Sequence, residues 1–163
     1  MTADTAWATN SPCRAGKRSV CWFITLCVET REWKRLAARA RVAADADLEA
    51  LSHYCTEPGA KGLAKHDSLA AVKLHRALGL RILNSGKTKY YDAALNHFDS
   101  ARRLCSHAGR EEEWRAVVSA VCARHFRKTG FLHAFLSLGT RTRSPAPLSF
   151  VQKARERWRK QTS

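Results

Sequence analysis

The chain has 163 residues, 29 Lys+Arg against 14 Asp+Glu, and a formal net charge of +15. A chain of this length suits one domain and buries about 70 % of its unfolded surface. Hydrophobic content of 45 % and charged content of 26 % exclude wholesale disorder, and 4 Pro with 8 Gly exclude a fibrous or low-complexity chain.

Residues 1–18 are small, polar and without period. They read as a disordered arm, and residues 1–28 as a poorly ordered or unrelated segment ahead of a single helical domain over 29–163. The longest apolar run, Val20 to Val28, is half the length of a membrane span, which needs about 20 residues. Arg14, Lys17 and Arg18 precede it in the order of a signal peptide, but Glu29-Thr30-Arg31-Glu32-Trp33 follows with no small-residue cleavage site. The run reads as a buried helix or strand. With no export or insertion signal, the cytoplasm is the expected location.

From Thr30 the period becomes helical. Trp33, Leu36, Ala37 and Ala40 lie at i, i+3, i+4 and i+7. Asp45 or Asp47 is expected to cap a short helix carrying Leu48, Leu51 and Tyr54, and Pro58 to stand in the first turn of the next. Asp67 opens a longer helix through Leu69, Val72, Leu74, Leu78, Leu80, Ile82 and Leu83, broken at Asn84-Ser85-Gly86. Tyr90 to His107 form the next, with Tyr91, Ala94, Leu95, Phe98, Ala101, Leu104 and Cys105 as one stripe, closed by Gly109.

Glu111, Glu112 and Glu113 then suit the positive end of a helix dipole. That helix carries Trp114, Val117, Val118, Val121, Cys122 and His125, ends in Arg124, Arg127 and Lys128, and is stopped by Gly130. A short apolar segment over 131–138 and an exposed loop over 139–147 lead to a last helix. Ser149 caps it, and Phe150, Val151, Ala154 and Trp158 lie on one side. The fold class expected is all-α, built of antiparallel α-hairpins.

The segment His75 to Gly109 resembles a tetratricopeptide-type helix pair. Leu78-Gly79 stands where that repeat has a Leu-Gly pair, and Tyr91, Ala94, Phe98 and Ala101 match the offsets of its second helix. The alanines let two backbones approach, and the aromatics fill the space beside them. His75 replaces the usual early aromatic, the turn through Gly86-Lys87-Thr88-Lys89 is about three residues too long for the repeat, and Ser106 stands near the closing proline's place. The resemblance implies a right-handed stack of helix pairs.

A wider resemblance covers about Glu29 to Ser163. The phrases Thr30-Arg31-Glu32-Trp33-Lys34-Arg35-Leu36-Ala37, Tyr90-Tyr91-Asp92-Ala93-Ala94-Leu95 and His125-Phe126-Arg127-Lys128-Thr129-Gly130-Phe131 look like the C-terminal helical region of bacterial SWIM-type zinc-finger proteins. So does Lys153-Ala154-Arg155-Glu156-Arg157-Trp158-Arg159-Lys160. That family's zinc site is a separate CxC-type module. This sequence has no CxC, so no zinc ligand carries over, and the resemblance implies a stand-alone or truncated helical part.

No constellation of residues reads as a reaction centre. Ser85-Gly86-Lys87-Thr88 lacks the earlier glycine of a phosphate-binding loop, since Arg81 stands there, and it follows a helix rather than a strand. The pairs His53/Cys55, His97/Cys105 and Cys122/His125 fall short of the four ligands of a structural zinc site. The six cysteines, Cys13, Cys21, Cys27, Cys55, Cys105 and Cys122, show no CxxC spacing. They read as reduced thiols, with Cys105 and Cys122 packed as small hydrophobes. No enzyme activity, cofactor, metal or small-molecule substrate is expected.

Charge is the remaining signal. Residues 110–163 carry +8 of the net charge, against +2 for residues 1–28, +1 for residues 29–66 and +4 for residues 67–109. Arg141, Arg143, Lys153, Arg155, Arg157, Arg159 and Lys160 form a candidate polyanion contact. Lys73, Arg76 and Arg81 form a candidate face for an acidic ligand. The function expected is a non-catalytic helical module that binds a protein partner, without membrane insertion. The alternative is a nucleic-acid-binding accessory protein acting through the basic C-terminus.

Overall fold

A computed structural model describes residues 14–139, with side chains from residue 19 to residue 138. The described residues form eight α-helices and no strand. They are α1 (Arg14–Glu29), α2 (Trp33–Val42), α3 (Asp45–Glu49), α4 (His53–Leu63), α5 (Ser68–Asn84), α6 (Tyr91–His107), α7 (Glu111–Arg124) and α8 (Thr129–Leu136). Single 3-10 turns precede α6 and follow α8. The expected capped helix beginning at Ser149 lies outside the described residues, as do residues 1–13.

Helix α5 is the centre of the fold. Ala70, Ala71, Val72, Leu74, Ala77, Leu78, Leu80 and Leu83 are buried around its whole circumference, so no side of it is free to face water. Helices α2, α3 and α4 cover one flank and α6 makes the most extensive contact on another. One core gathers Ile24, Leu36, Leu48, Leu51, Leu63, Leu74 and Leu78. A second gathers Leu80, Leu83, Leu95, Phe98, Val117, Val121, Phe131 and Phe135. Within it Phe98 meets Phe135 edge-on, with ring centroids 4.9 Å apart. The α5–α6 contact is close because residue 79 has no side chain. A Cβ on Gly79 would lie 2.7 Å from the Phe98 ring.

Several local signals act as the sequence predicts. The Asp67 side chain accepts a hydrogen bond from the Ala70 amide at 3.1 Å and caps α5. Gly86 and Gly109 take φ of +70° and +65° and close α5 and α6.

Other positions differ from the sequence reading. The run Val20 to Val28 is the helical of its two expected forms, as part of α1 with Ile24 and Cys27 buried, although it falls within residues 1–28, expected to be poorly ordered or unrelated. Val20, Ile24 and Cys27 share a 3.6-residue face, which the unbroken apolar run conceals. Asp45 and Asp47 lie inside the first turn of α3 rather than at its cap, which is Ala44, and Tyr54 is exposed instead of sharing the stripe with Leu48 and Leu51. Pro58 stands inside α4, not in its first turn. Pro58 and Tyr54 both lie on the exposed side, so the hydrogen bond that proline cannot donate to the Tyr54 carbonyl is missing on the solvent face. Helix α7 ends at Arg124, before Gly130, which is the second residue of α8. The buried His125 turns the chain there, its amide donating to the Val121 carbonyl at 2.9 Å.

The cysteines differ as well. Cys21 of α1 and Cys55 of α4 form a disulfide, with Cα atoms 5.5 Å apart, where reduced thiols were expected. Spacing in the chain could not show this, because the pairing depends on α1 folding onto α4. Cys27 and Cys105 are free and buried, and Cys122 is half-exposed rather than buried.

Helix α1 ends in a Schellman turn. The Glu32 amide donates to the Cys27 carbonyl at 2.9 Å and the Arg31 amide to the Val28 carbonyl at 3.3 Å. Arg31 takes φ of +57°, a position where glycine is the unstrained residue and an L side chain costs about 1 kcal/mol.

Two outcomes follow from this packing. In chemical denaturation Phe98→Ala should cost about 3–5 kcal/mol, and Gly79→Ala about 1–3 kcal/mol by overpacking. A cost under about 1 kcal/mol for Phe98→Ala would mean that α5 and α6 do not pair through this residue. Replacing both Cys21 and Cys55 by Ser should lower stability by about 2–4 kcal/mol without reductant. With reductant present, the variant and the parent chain should unfold together.

Candidate functional site

Helices α3, α5 and α7 enclose an open cleft of about 330 Å³. Its floor is apolar, formed by Leu80, Val117 and Val121, with Ala46 and Ala120 at the sides. Its rim is charged and internally paired. Arg76 of α5 pairs with Asp45 of α3, and Arg124 of α7 reaches Glu49 of α3 at 3.3 Å. Glu49 also accepts a hydrogen bond from Asn84 Nδ2 at 2.8 Å. Among the described residues the Arg124–Glu49 pair is the ionic bridge between α3 and α7, and it lies across the cleft mouth. Arg124 is more than half exposed, so the pair contributes little to stability and can exchange partners.

The three residues expected to face an acidic ligand are placed differently from one another. Arg76 lines the cleft. Lys73 is turned to the end of α2, where its ammonium donates to the carbonyls of Arg41 at 2.8 Å and Ala43 at 2.5 Å. There it satisfies the negative pole of that helix rather than a ligand. Arg81 is half-buried, and its Nη1 has no hydrogen-bond partner among the described residues. The structure therefore does not bring these three cations together. Sequence reasoning missed Asp45, Glu49 and Arg124 as rim residues. A charged residue at each helix end was visible, but their convergence depends on how α3 packs on α5 and α7 on α6. The candidate polyanion contact, Arg141, Arg143, Lys153, Arg155, Arg157, Arg159 and Lys160, lies outside the described residues.

The thiols are poor nucleophiles where they are buried. Burial raises the pKa of Cys27 and Cys105, and Glu113 adds to the effect at Cys105. His125 is held below the ordinary histidine range by burial, then by the nearby Lys128 and Arg124 charges. Its Nε2 is buried without a partner among the described residues. The described residues hold no group of three or more His, Cys, Asp and Glu side chains placed to share a metal ion. Nor is any described helix long and apolar enough to cross a membrane.

One polar pair in the interior was not legible in the sequence. His75 of α5 and His97 of α6 approach with their Nδ1 atoms 3.3 Å apart. Burial holds His75 down to about 4, with His97 adding to the shift and Glu57 opposing it. Burial also lowers His97. Burial therefore favours the neutral form of both imidazoles, and a hydrogen bond between them needs one Nδ1 to carry the proton and the other to accept it.

Scans against protein-family models, curated proteins and solved structures find no match to this chain.

The histidine pair gives a pH dependence of known sign. Between the unfolded histidine value of about 6.5 and the folded His75 value of about 4, the unfolded chain binds a proton that the folded chain refuses. Stability is full above this window and falls as the pH drops through it, by up to about 3 kcal/mol from His75. Urea denaturation at pH 7 and pH 4.5 should show the loss, and His75→Gln should flatten it. An unchanged pH slope in that variant would remove His75 as its source.

Proposed function

We propose that the chain is a non-catalytic helical module that binds a protein partner through the α3–α5–α7 cleft. The observation that carries this reading is the cleft itself. An apolar floor beneath two exchangeable ion pairs suits an apolar side chain of a partner, flanked by charged residues that replace Asp45 or Arg124 in their pairs. The tetratricopeptide-like part of the reading rests on the Leu78-Gly79 and Tyr91, Ala94, Phe98 and Ala101 pattern. The close approach of Gly79 and Phe98 supports it. The proposed kinship with the helical region of SWIM-type proteins rests on the sequence phrases alone. In this reading the partner is a protein segment rather than a metal or a small substrate.

A second reading has its own observation. Residues 110–163 carry +8 of the +15 net charge, which would draw a nucleic acid by counterion release. It assigns the contact to the C-terminal cations and leaves the cleft idle.

One experiment separates the two. Peptides selected by display on the full chain should lose about tenfold or more in affinity when Ala46→Arg or Ala120→Trp fills the cleft. Both positions are exposed, so the thermal midpoint should hold. Unchanged peptide affinity in both variants would remove the cleft from the function. Nucleic-acid binding with a steep salt slope, lost on removing residues 141–163, would establish the second reading instead.

A further inference from the structure

A separate cleft of about 530 Å³ opens where the α1–α2 turn meets the α4–α5 turn. It shares no lining residue with the cleft between α3, α5 and α7 and does not rest on the reading given to that one. Two features distinguish it. The first is a flat wall of rings. Trp33 and His66 stack with centroids 5.3 Å apart and planes 11° from parallel. Trp33 lies close against Gly62, where an added Cβ would be 2.3 Å from the indole, while His66 is exposed. The second is unused positive charge. Arg31, Lys34 and Arg41 line the cleft with Glu32 and Asp67. Arg41 and Asp67 pair at 2.7 Å, and Asp67 also caps α5. Arg31 and Lys34, both exposed, have no ion pair among the described residues.

Arg31 has a further peculiarity. It occupies the left-handed position of the α1 turn, which glycine fills without strain. The fold is better served by glycine there, so packing does not account for the arginine side chain.

We propose that this cleft binds a nucleotide, with the planar base continuing the Trp33–His66 stack and the phosphate held by Arg31 and Lys34. Stacking platforms beside cationic side chains are how proteins hold single nucleotide units, because every base has a flat face and every phosphate a charge. Arginine offers the paired donors that match phosphate oxygens. The volume lies within the range of small-molecule sites. The chemistry is the same for a free mononucleotide and for one unit of a single strand.

The test uses the full chain, with tryptophan emission as the readout and AMP, ribose 5-phosphate and a short oligothymidylate as probes. AMP or the oligonucleotide should quench the emission. Ribose 5-phosphate, which has the charge without the ring, should displace AMP, read as recovery of the quenched emission, only at concentrations at least about tenfold above those of AMP itself. Arg31→Gly with Lys34→Gln should reduce nucleotide affinity by about tenfold or more. The same pair should leave the denaturation midpoint equal or higher, because the glycine removes backbone strain. A chain with Arg155, Arg157, Arg159 and Lys160 all changed to Gln should keep its AMP affinity. Response to AMP identifies a free nucleotide as ligand, and response to the oligonucleotide alone identifies a strand. The proposal is overturned if neither probe quenches. It also fails if the Arg31/Lys34 variant binds as the parent does, or if ribose 5-phosphate binds as well as AMP.

Discussion

Everything else in the molecule is arranged around a helix that has no polar side. The residues of α5 that meet its neighbours are spread over the full turn, so water must be excluded from all of it. That requirement recruits α2, α3 and α4 on one flank and α6 on another, and it sets Leu80 and Leu83 in one core with Val117 and Val121 of α7. Burial of this helix supplies a large share of the driving force. It also limits where polar groups can go. Lys73 must run out to the end of α2, and Arg76 must reach Asp45. His75 cannot reach water and is satisfied by another imidazole. The cations expected to make a ligand face are in part the polar residues that a fully enclosed helix has to place at its edges.

Local chemistry was readable where it is decided within a few residues. Asp67 announces a helix start because its carboxylate needs only the amide three residues on. Gly86 and Gly109 announce helix ends because positive φ is a property of one residue. Ala94, Phe98 and Ala101 repeat at helical spacing and are all buried. The misreadings are positions whose meaning is set at a distance. Pro58 commonly begins a helix, but it is tolerated inside α4 because that side of the helix faces solvent. Gly130 looks like a terminator, yet the chain has already turned at His125, which the neighbouring helices pull inward. Arg31 takes the conformation usual for glycine, and no residue-level signal marks it.

The same division explains the candidate sites. The stripes containing Leu80 on one helix and Val117 and Val121 on another were visible as core, but not that they remain partly open between α3 and α7. The rim ion pairs join residues 31 and 75 positions apart in sequence. The ring wall joins Trp33 and His66 across two turns. The strongest sequence signal, the excess of cations in the last third of the chain, falls mainly beyond residue 139. The described residues therefore carry a more balanced surface than the whole composition suggests.

The bond between Cys21 and Cys55 turns a stretch of chain into a covalent ring, closed between positions 34 apart in sequence. Helices α2 and α3 lie wholly inside that ring, whereas α5 to α8 lie outside it. Pulling on the two halves would therefore extend them unequally. The outer helices can unravel to full contour length, but the inner pair can lengthen only after the sulfurs part. An oxidised molecule stretched by its ends would stop short of a reduced one by the length of the loop it keeps closed.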